Sequence, residues 1–399
     1  MKVLLLTNEY PPAIYGGAGI HVDYLSRELA KLGPVDVRCF GTQALHNGNL
    51  SATGFPPGDK TFTSPKPLAS VFSAIQRSLD FNTTNIDADV VHCHTWYTHL
   101  GGILAKLNYG LPLVITTHSL EPLRPWKREQ LAGGYDFSLW VEKTALEMAD
   151  AVIAVSGDTK DDVLKYYKVD PARIHVIHNG IDLDEYRPIA APDILKHVGV
   201  DPQRPYILFV GRITRQKGII HLVNAIRHMS KGFQVVLCAG APDTQEIAAE
   251  MQSHVAAAKK ERDDIIWIGE MLDERTKIAL YSHAALFCCP SIYEPFGIIN
   301  LEAMACETPV VAAAVGGIKE VVVDGETGFL VPVAQHNGGS FEPVDPGQFA
   351  RDLAAKINLL MRDEPLRRRM GAAGRQRAIA NFSWPSIAKK TYSLYQSLI

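Results

Sequence analysis

An apolar run at residues 206–210 leads directly into Gly211-Arg212-Ile213-Thr214-Arg215-Gln216-Lys217-Gly218, which puts Arg212 and Lys217 between a strand end and a helix start. Two cations at that place can neutralise a diphosphate. Solvated surface charges are the plainer reading of the same residues. Further on, Ser291-Ile292-Tyr293-Glu294-Pro295-Phe296-Gly297-Ile298-Ile299-Asn300-Leu301-Glu302 sets Glu294 in a loop and Glu302 on the helix that follows. Carboxylates can grip sugar hydroxyls, and the helix-start amides of Phe296, Gly297, Ile298 and Ile299 can receive a phosphate or a sugar oxygen. The same two acids could instead work as a glycosidase pair, or be a dipole-favoured carboxylate and an exposed acid.

Nearer the amino terminus, Gly16-Gly17-Ala18-Gly19 precedes a helical pattern, and its amides could approach a phosphate. The stretch 8–15 separates it from the first strand, so it is not the dinucleotide fingerprint, and a tight turn would look the same. Three further groups sit at strand ends: His92-Cys93-His94-Thr95-Trp96-Tyr97, His118-Ser119-Leu120-Glu121, and His178-Asn179-Gly180. One histidine at a strand end is usually structural, but three at adjacent ends suggest a site. Beyond His118, Glu121-Pro122-Leu123-Arg124-Pro125-Trp126-Lys127 joins aromatic and basic groups, suited to stacking on a sugar ring and pairing Arg124 and Lys127 with a negative group; Trp126 could equally anchor the loop. A zinc site built from Cys93, His92 and His94 lacks the fourth ligand of a structural centre.

The elements that must position these residues follow from hydrophobic patterning. Short apolar runs alternate with longer amphipathic segments, the pattern of strands buried on both faces with crossover helices between them, so the fold class is α/β with parallel sheets. Strands are expected at 3–7, 35–40, 89–92, 113–117, 151–155 and 174–177, then at 206–210, 234–239, 265–268, 286–289 and 309–312. Helices are expected at 19–31, 136–149, 157–167 and 384–399. Segments 47–67 and 335–348, rich in Gly, Pro, Ser and Thr, read as loops. The two prolines of Tyr186-Arg187-Pro188-Ile189-Ala190-Ala191-Pro192 mark a boundary between two doubly wound units. Such sheets bind ligands beyond the carboxyl ends of their strands, so two of them facing each other would form a cleft.

A chain of 399 residues suits two such cores. A formal charge of -3 supplies no global field for nucleic acid or an anionic bilayer. No apolar stretch approaches the roughly 18–20 residues of a spanning helix. The opening run is too short for a signal peptide, and six cysteines without a CxxC pair suggest reduced thiols in a cytoplasmic setting.

Taken in order, these motifs resemble the retaining nucleotide-sugar glycosyltransferases of the GT-B fold, specifically glycosyltransferase family 4, over nearly the whole chain. The resemblance implies two Rossmann-like domains facing a central cleft: 1–190 on the acceptor side, joined by a carboxyl-terminal helix 384–399 that crosses back, and 191–383 binding the nucleotide sugar. Within the family, Asn8-Glu9-Tyr10-Pro11-Pro12, His94-Thr95-Trp96-Tyr97 and the run 117–127 look like short bacterial glycogen synthases. These include the actinobacterial type that makes α-maltose 1-phosphate from ADP-glucose and glucose 1-phosphate. The loop before the paired glycines, Tyr10-Pro11-Pro12-Ala13-Ile14-Tyr15, departs from the usual glycogen synthase pattern, which has a lysine there.

Carried over residue by residue, the resemblance implies that Gly16 and Gly17 meet the donor diphosphate while Arg212 and Lys217 offset its charge. His118 would contact the donor sugar, Glu294 a sugar hydroxyl with the amides of 296–299 beside it, and Glu302 the ribose. His94, Asn179, Arg124 and Lys127 complete the substrate contacts. It implies no metal or other cofactor, ADP-glucose as donor, and a glucan or a sugar phosphate as acceptor. Sucrose or sucrose-phosphate synthesis, transfer to a cell-envelope acceptor, and non-catalytic sugar-nucleotide binding are the alternatives. Nucleic acid and membrane insertion are not expected, and a homodimer is left open.

Overall fold

A computed structural model describes residues 1–14, 16–58, 66–336 and 340–399. The chain divides into two compact units, Met1–Gly180 with Trp384–Ile399, and Ile181–Ser383.

In the first unit the opening apolar run is strand β1 (Val3–Thr7), buried at every residue. Around it stand β2 (Val35–Phe40), β3 (Ala44–Asn47), β4 (Leu50–Phe55), β5 (Val90–His94), β6 (Leu113–Thr117), β7 (Ala151–Ala154) and β8 (Ile174–Val176). Their order in the sheet is β3-β4-β2-β1-β5-β6-β7-β8, and every pairing is parallel except β3 with β4. The chain winds outward from β1 to β2 and then returns to the other side of β1 as β5. The switch point therefore lies between β1 and β5, and the residues just after these strands occupy the ligand-binding edge.

The second unit repeats the plan with β9 (Tyr206–Arg212), β10 (Gln234–Gly240), β11 (Ile265–Ile268), β12 (Leu286–Cys289), β13 (Val310–Ala313) and β14 (Gly328–Val331). Its order is β11-β10-β9-β12-β13-β14, parallel throughout, with the switch between β9 and β12.

The carboxyl-terminal helix Trp384–Gln396 packs on the first unit. Trp384, Ile387, Ala388, Leu394 and Tyr395 share a core with Val22, Leu25 and Leu29 of the helix Gly17–Ala30 and with β1 and β2. Tyr392 and Tyr395 extend this face, and the Tyr395 hydroxyl reaches His92 Nδ1 at 2.6 Å.

Three expectations need revision. Segment 47–67 is not simply a loop: β4 lies inside it, with Leu50 and Ala52 buried on alternate positions, and helix Lys66–Asp80 begins before its end. A two-residue period with Ser and Thr on the outward positions hid that strand. Residues 59–65 of that segment lie outside the described residues. Segment 335–348 contains 337–339, also outside them, but its flanks are tied down. Gln335 Nε2 donates to the carbonyls of Ile292 and Phe341, both at 2.6 Å, and Asp345 caps the helix Pro346–Arg362.

The division between units falls at Gly180, ten residues before the 190/191 boundary read from the prolines. Ile181 N donates to Phe382 O at 2.8 Å, Arg375 Nη1 donates to Tyr186 O at 3.2 Å, and Ile189 N donates to Ser282 Oγ at 3.2 Å. The proline stretch is thus laid on the second unit, and Pro192 opens the helix Pro192–His197, where proline's missing N–H costs nothing.

All six cysteines are free and buried, and burial pushes the Cys39 thiol up to about 12, which leaves it inert. Among the described residues no helix is long and apolar enough to cross a membrane.

Candidate functional site

In the second unit, the residues after β9 and after β12 meet. Lys217 Nζ donates to Glu294 Oε2 at 2.6 Å, and Ser291 Oγ donates to the same oxygen at 3.1 Å. Burial alone would lower the Lys217 ammonium, but the Glu294 carboxylate outweighs it and holds the pKa above its usual value. Arg212, the last residue of β9, donates from Nη1 to Asp243 Oδ1 at 2.9 Å. The expected cations are therefore both present at the switch point, each held by a carboxylate.

The turns that carry them need glycine. Gly218 sits at φ +59°, and a Cβ there would collide with the Pro290 carbonyl. Behind Glu294, Gly317 N donates to Glu294 O at 3.0 Å, while a Cβ on Gly316 (φ +51°) would strike that carbonyl. The Gly316-Gly317 pair, which sequence reading passed over, fixes the path of the Glu294 loop.

Gly297 (φ +94°) caps the helix Ile298–Ala305, whose first amides have no intrahelical acceptor. Ile298 and Ile299 are half-buried, whereas Phe296 is buried against the Phe382 ring, so any part it plays falls to its backbone. Glu302, buried on that helix, accepts from Tyr281 Oη at 2.9 Å. Burial raises its pKa, and Lys277 opposes the rise. Trp267, on β11, donates from Nε1 to Ala239 O of β10 at 2.7 Å.

In the first unit, Gly16 N donates to Glu9 Oε2 at 2.7 Å, and a Cβ on Gly19 would come within 2.8 Å of the Glu9 side chain. Glu9 thus braces the glycine turn that opens helix Gly17–Ala30, a role the sequence did not reveal. Residue 15 of that turn lies outside the described residues.

Four buried imidazoles and one half-buried one, His118, gather around the strand ends. His21, on the first turns of that helix, has Nδ1 2.7 Å from Asn179 Oδ1. An amide oxygen only accepts, so Nδ1 carries the hydrogen and Nε2 keeps its lone pair. Asn179, expected to touch substrate, thus orients His21. His94 Nδ1 lies 3.0 Å from His118 Nε2, and His92 is bridged between Tyr395 and Thr116. Burial drives all of them toward the neutral form: His21 falls to about 4, His99 to about 3, and His92, His94 and His118 well below the usual value.

Strand alternation separates Cys93 from its histidine neighbours and turns its sulfur toward Gly102, so the Cys93-His92-His94 zinc grouping is not formed. The grouping that does converge is His21, His94 and His118, with one ligand nitrogen of each within 4.8 Å of the others. Neutral imidazoles of this kind could take a borderline cation.

Among the described residues, six of the twelve buried side-chain polar atoms without a hydrogen-bond partner fall at this edge: His21 Nε2, His94 Nε2, Trp96 Nε1, His99 Nδ1 and Nε2, and Arg124 Nε. Each such atom costs about 1–3 kcal/mol unless something satisfies it. Their concentration suits a hydroxyl-rich or anionic ligand.

The loop after β6 departs from its expected form. Lys127, expected to pair with a negative group of the substrate, is buried and donates from Nζ to Glu121 Oε1 at 2.8 Å; Arg124 Nη1 lies 3.7 Å from the same oxygen and donates to Ser119 Oγ at 3.1 Å. Glu121 is itself clamped, since Ser138 Oγ donates to its Oε2 at 2.7 Å and Tyr135 Oη to its carbonyl at 2.6 Å.

Two doubly wound units, one with paired cations and carboxylates at its switch point and the other with a polar, imidazole-lined edge, define a nucleotide-sugar glycosyltransferase of the GT-B fold. Comparison with known proteins supports this class. Residues 15–185 match the family described as Glycosyltransferase Family 4, and residues 191–377 that described as Glycosyl transferases group 1. The chain belongs to glycosyltransferase family 4.

It is 48% identical to an alpha-maltose-1-phosphate synthase of Mycolicibacterium smegmatis, with 100% of each chain covered. It is 28% identical to a glycogen synthase of Mycobacterium tuberculosis, over 99% of this chain and 94% of that one. Among solved structures, sucrose-phosphate synthase from Thermosynechococcus elongatus superposes with a TM-score of 0.80 at 27% identity, over 100% of this chain and 99% of that one.

Proposed function

We propose that the protein transfers glucose, with retention of anomeric configuration, from ADP-glucose to glucose 1-phosphate, giving maltose 1-phosphate. The observation that carries this reading is the 48% identity, end to end, to a protein named for that product. Two features of the chain agree with a phosphorylated acceptor rather than a long glucan: the cationic loop holding Arg124 and Lys127, and the absence of a lysine from 10–15.

In this reading Arg212 and Lys217 offset the charge that builds on the departing diphosphate, and the amides at Gly297–Ile299 add fixed dipoles. Glu294, whose Oε2 is occupied by Lys217 and Ser291, uses its remaining oxygen for a sugar hydroxyl. Neutral His118 contacts the donor sugar, and Glu302 takes the ribose. The acceptor hydroxyl attacks on the face that the diphosphate leaves, and the departing phosphate oxygen receives its proton. This arrangement uses no metal ion.

The test is to supply purified protein with ADP-glucose or UDP-glucose and with glucose 1-phosphate or glycogen, then measure nucleotide release and product size. A disaccharide phosphate formed from ADP-glucose is the expected product. Lengthened glycogen with no disaccharide phosphate would overturn the acceptor, and release from UDP-glucose alone would overturn the donor.

A further inference from the structure

The proposed acceptor carries a phosphate, and resting on that reading, we infer that Glu121 is a positioning residue: it holds Lys127 and Arg124 side by side so that the pair receives that phosphate. Lys127 Nζ and Arg124 Nη1 lie 2.8 and 3.7 Å from one oxygen, Glu121 Oε1. Two long cationic side chains on a proline-rich loop would otherwise sample many rotamers; tethering both to a rigid buried group removes that freedom before the ligand arrives.

The tether is rigid because one helix, Gly134–Met148, fixes it three times. Ser138 Oγ holds Oε2, Tyr135 Oη holds the carbonyl, and the Glu121 backbone N–H donates to Glu142 Oε1 at 2.8 Å.

Charge counting points the same way. Burial, and then the nearby Glu121 charge, push the Glu142 carboxyl up to about 8, so it is uncharged at neutral pH; Tyr167 Oη also donates to it. Burial would raise Glu121 too, but Lys127 and Arg124 outweigh it and keep the carboxyl ionised. The cluster therefore holds two cations against one anion and carries a net positive charge. Arg124 Nε, buried and without a hydrogen-bond partner, is a donor that a phosphate oxygen can satisfy.

Without Glu121, Lys127 would keep its burial and its repulsion by Arg124, the two causes that already bring its pKa down to about 8, and would lose the Glu121 charge, the largest attraction opposing them. It would deprotonate at lower pH.

The experiment compares Glu121→Gln, Ser138→Ala and Arg124→Ala with the parent enzyme in steady-state kinetics, varying glucose 1-phosphate and ADP-glucose in turn. Glu121→Gln is expected to raise the KM for glucose 1-phosphate by about tenfold, the loss of one well-aligned charge-assisted hydrogen bond, with the ADP-glucose KM within about twofold of the parent. The pH above which the acceptor KM climbs should also move down. Ser138→Ala removes one brace without changing charge. It should raise the acceptor KM by about two- to threefold, and it decides the matter if Glu121→Gln does not fold.

An unchanged acceptor KM in Glu121→Gln, or in a folded Ser138→Ala when it is the deciding variant, beside a raised one in Arg124→Ala, would overturn the positioning role and leave the proposed acceptor intact. An unchanged acceptor KM in Arg124→Ala as well would overturn the phosphate-bearing acceptor itself.

Discussion

Acidifying this protein should unfold its first unit well before the carboxylates that usually govern acid stability titrate. His21 is 3% exposed, with a pKa near 4 in the fold against 6.5 for the free side chain. A base whose folded pKa is depressed contributes stability that is complete above 6.5 and is lost as pH falls toward 4, because only the unfolded chain takes up the proton. Between pH 7 and pH 5 the loss is about 2 kcal/mol for His21. His99, at about 3, loses about the same by pH 5, and His92 and His94, both pushed well below the usual value by burial, add in the same direction.

Glu142 acts in the opposite sense. A carboxyl raised to about 8 destabilises the fold at pH 7 and is relieved on acidification, returning about 2–3 kcal/mol by pH 5. The net change is still a loss, because five depressed imidazoles oppose one raised carboxyl. Hydrogen exchange of β5 and β6 amides, corrected for intrinsic rate, measures it in the unit concerned. His99→Leu, which removes an imidazole with neither nitrogen bonded, should reduce the pH dependence by about 2 kcal/mol. Equal protection at the two pH values would refute the reasoning.

Replacing both Arg212 and Lys217 with Ala should lower kcat for donor cleavage by about a thousandfold or more, since two fixed charges at the leaving group are lost together; turnover close to the parent's would show that the diphosphate binds elsewhere. Gly316→Ala would drive a methyl into the Glu294 carbonyl, so kcat should fall and the thermal midpoint should drop, with about 1–3 kcal/mol of backbone strain as the cause; a silent substitution would mean that the Glu294 loop is not held there. Trp384→Ala should cost the first unit about 3–5 kcal/mol, because its ring fills the core against Gly180, His21 and Tyr24. Denaturant unfolding followed by first-unit hydrogen exchange reads this loss, and protection equal to the parent's would contradict it.

The hydrophobic runs 3–7, 113–117 and 286–289 match β-strands at both ends, because strands buried on both faces announce themselves by mostly apolar sequence. β3 and β4 do not: β3 is an exposed edge strand, and β4 beside it is polar on one face and interrupted by Gly54. Arg212, Lys217 and Glu294 stood out because each follows a strand, and the structure brings Lys217 and Glu294 into contact across 77 residues. Their counterparts were hidden for a common reason. His21 with Asn179, Glu302 with Tyr281 and Arg212 with Asp243 are pairs made by folding, and no local pattern signals that one half awaits the other. Glu121 was visible in its motif, but its work as an anchor depends on Ser138 and Glu142 a helix away. Glycines at 316 and 317 carry no signal of their own in the sequence; their role shows only in the Glu294 carbonyl packed against them.

The helix Trp384–Gln396 gives the chain an unusual order of assembly. The hydrophobic centre of the first unit needs Trp384, Ile387, Leu394 and Tyr395, which leave the ribosome only after the whole second unit has been made. A nascent chain halted anywhere before residue 384 exposes the apolar face of helix Gly17–Ala30, however well its sheet has formed. Emergence of that helix, rather than of the first sheet, is therefore the step at which that half becomes resistant to proteases and aggregation.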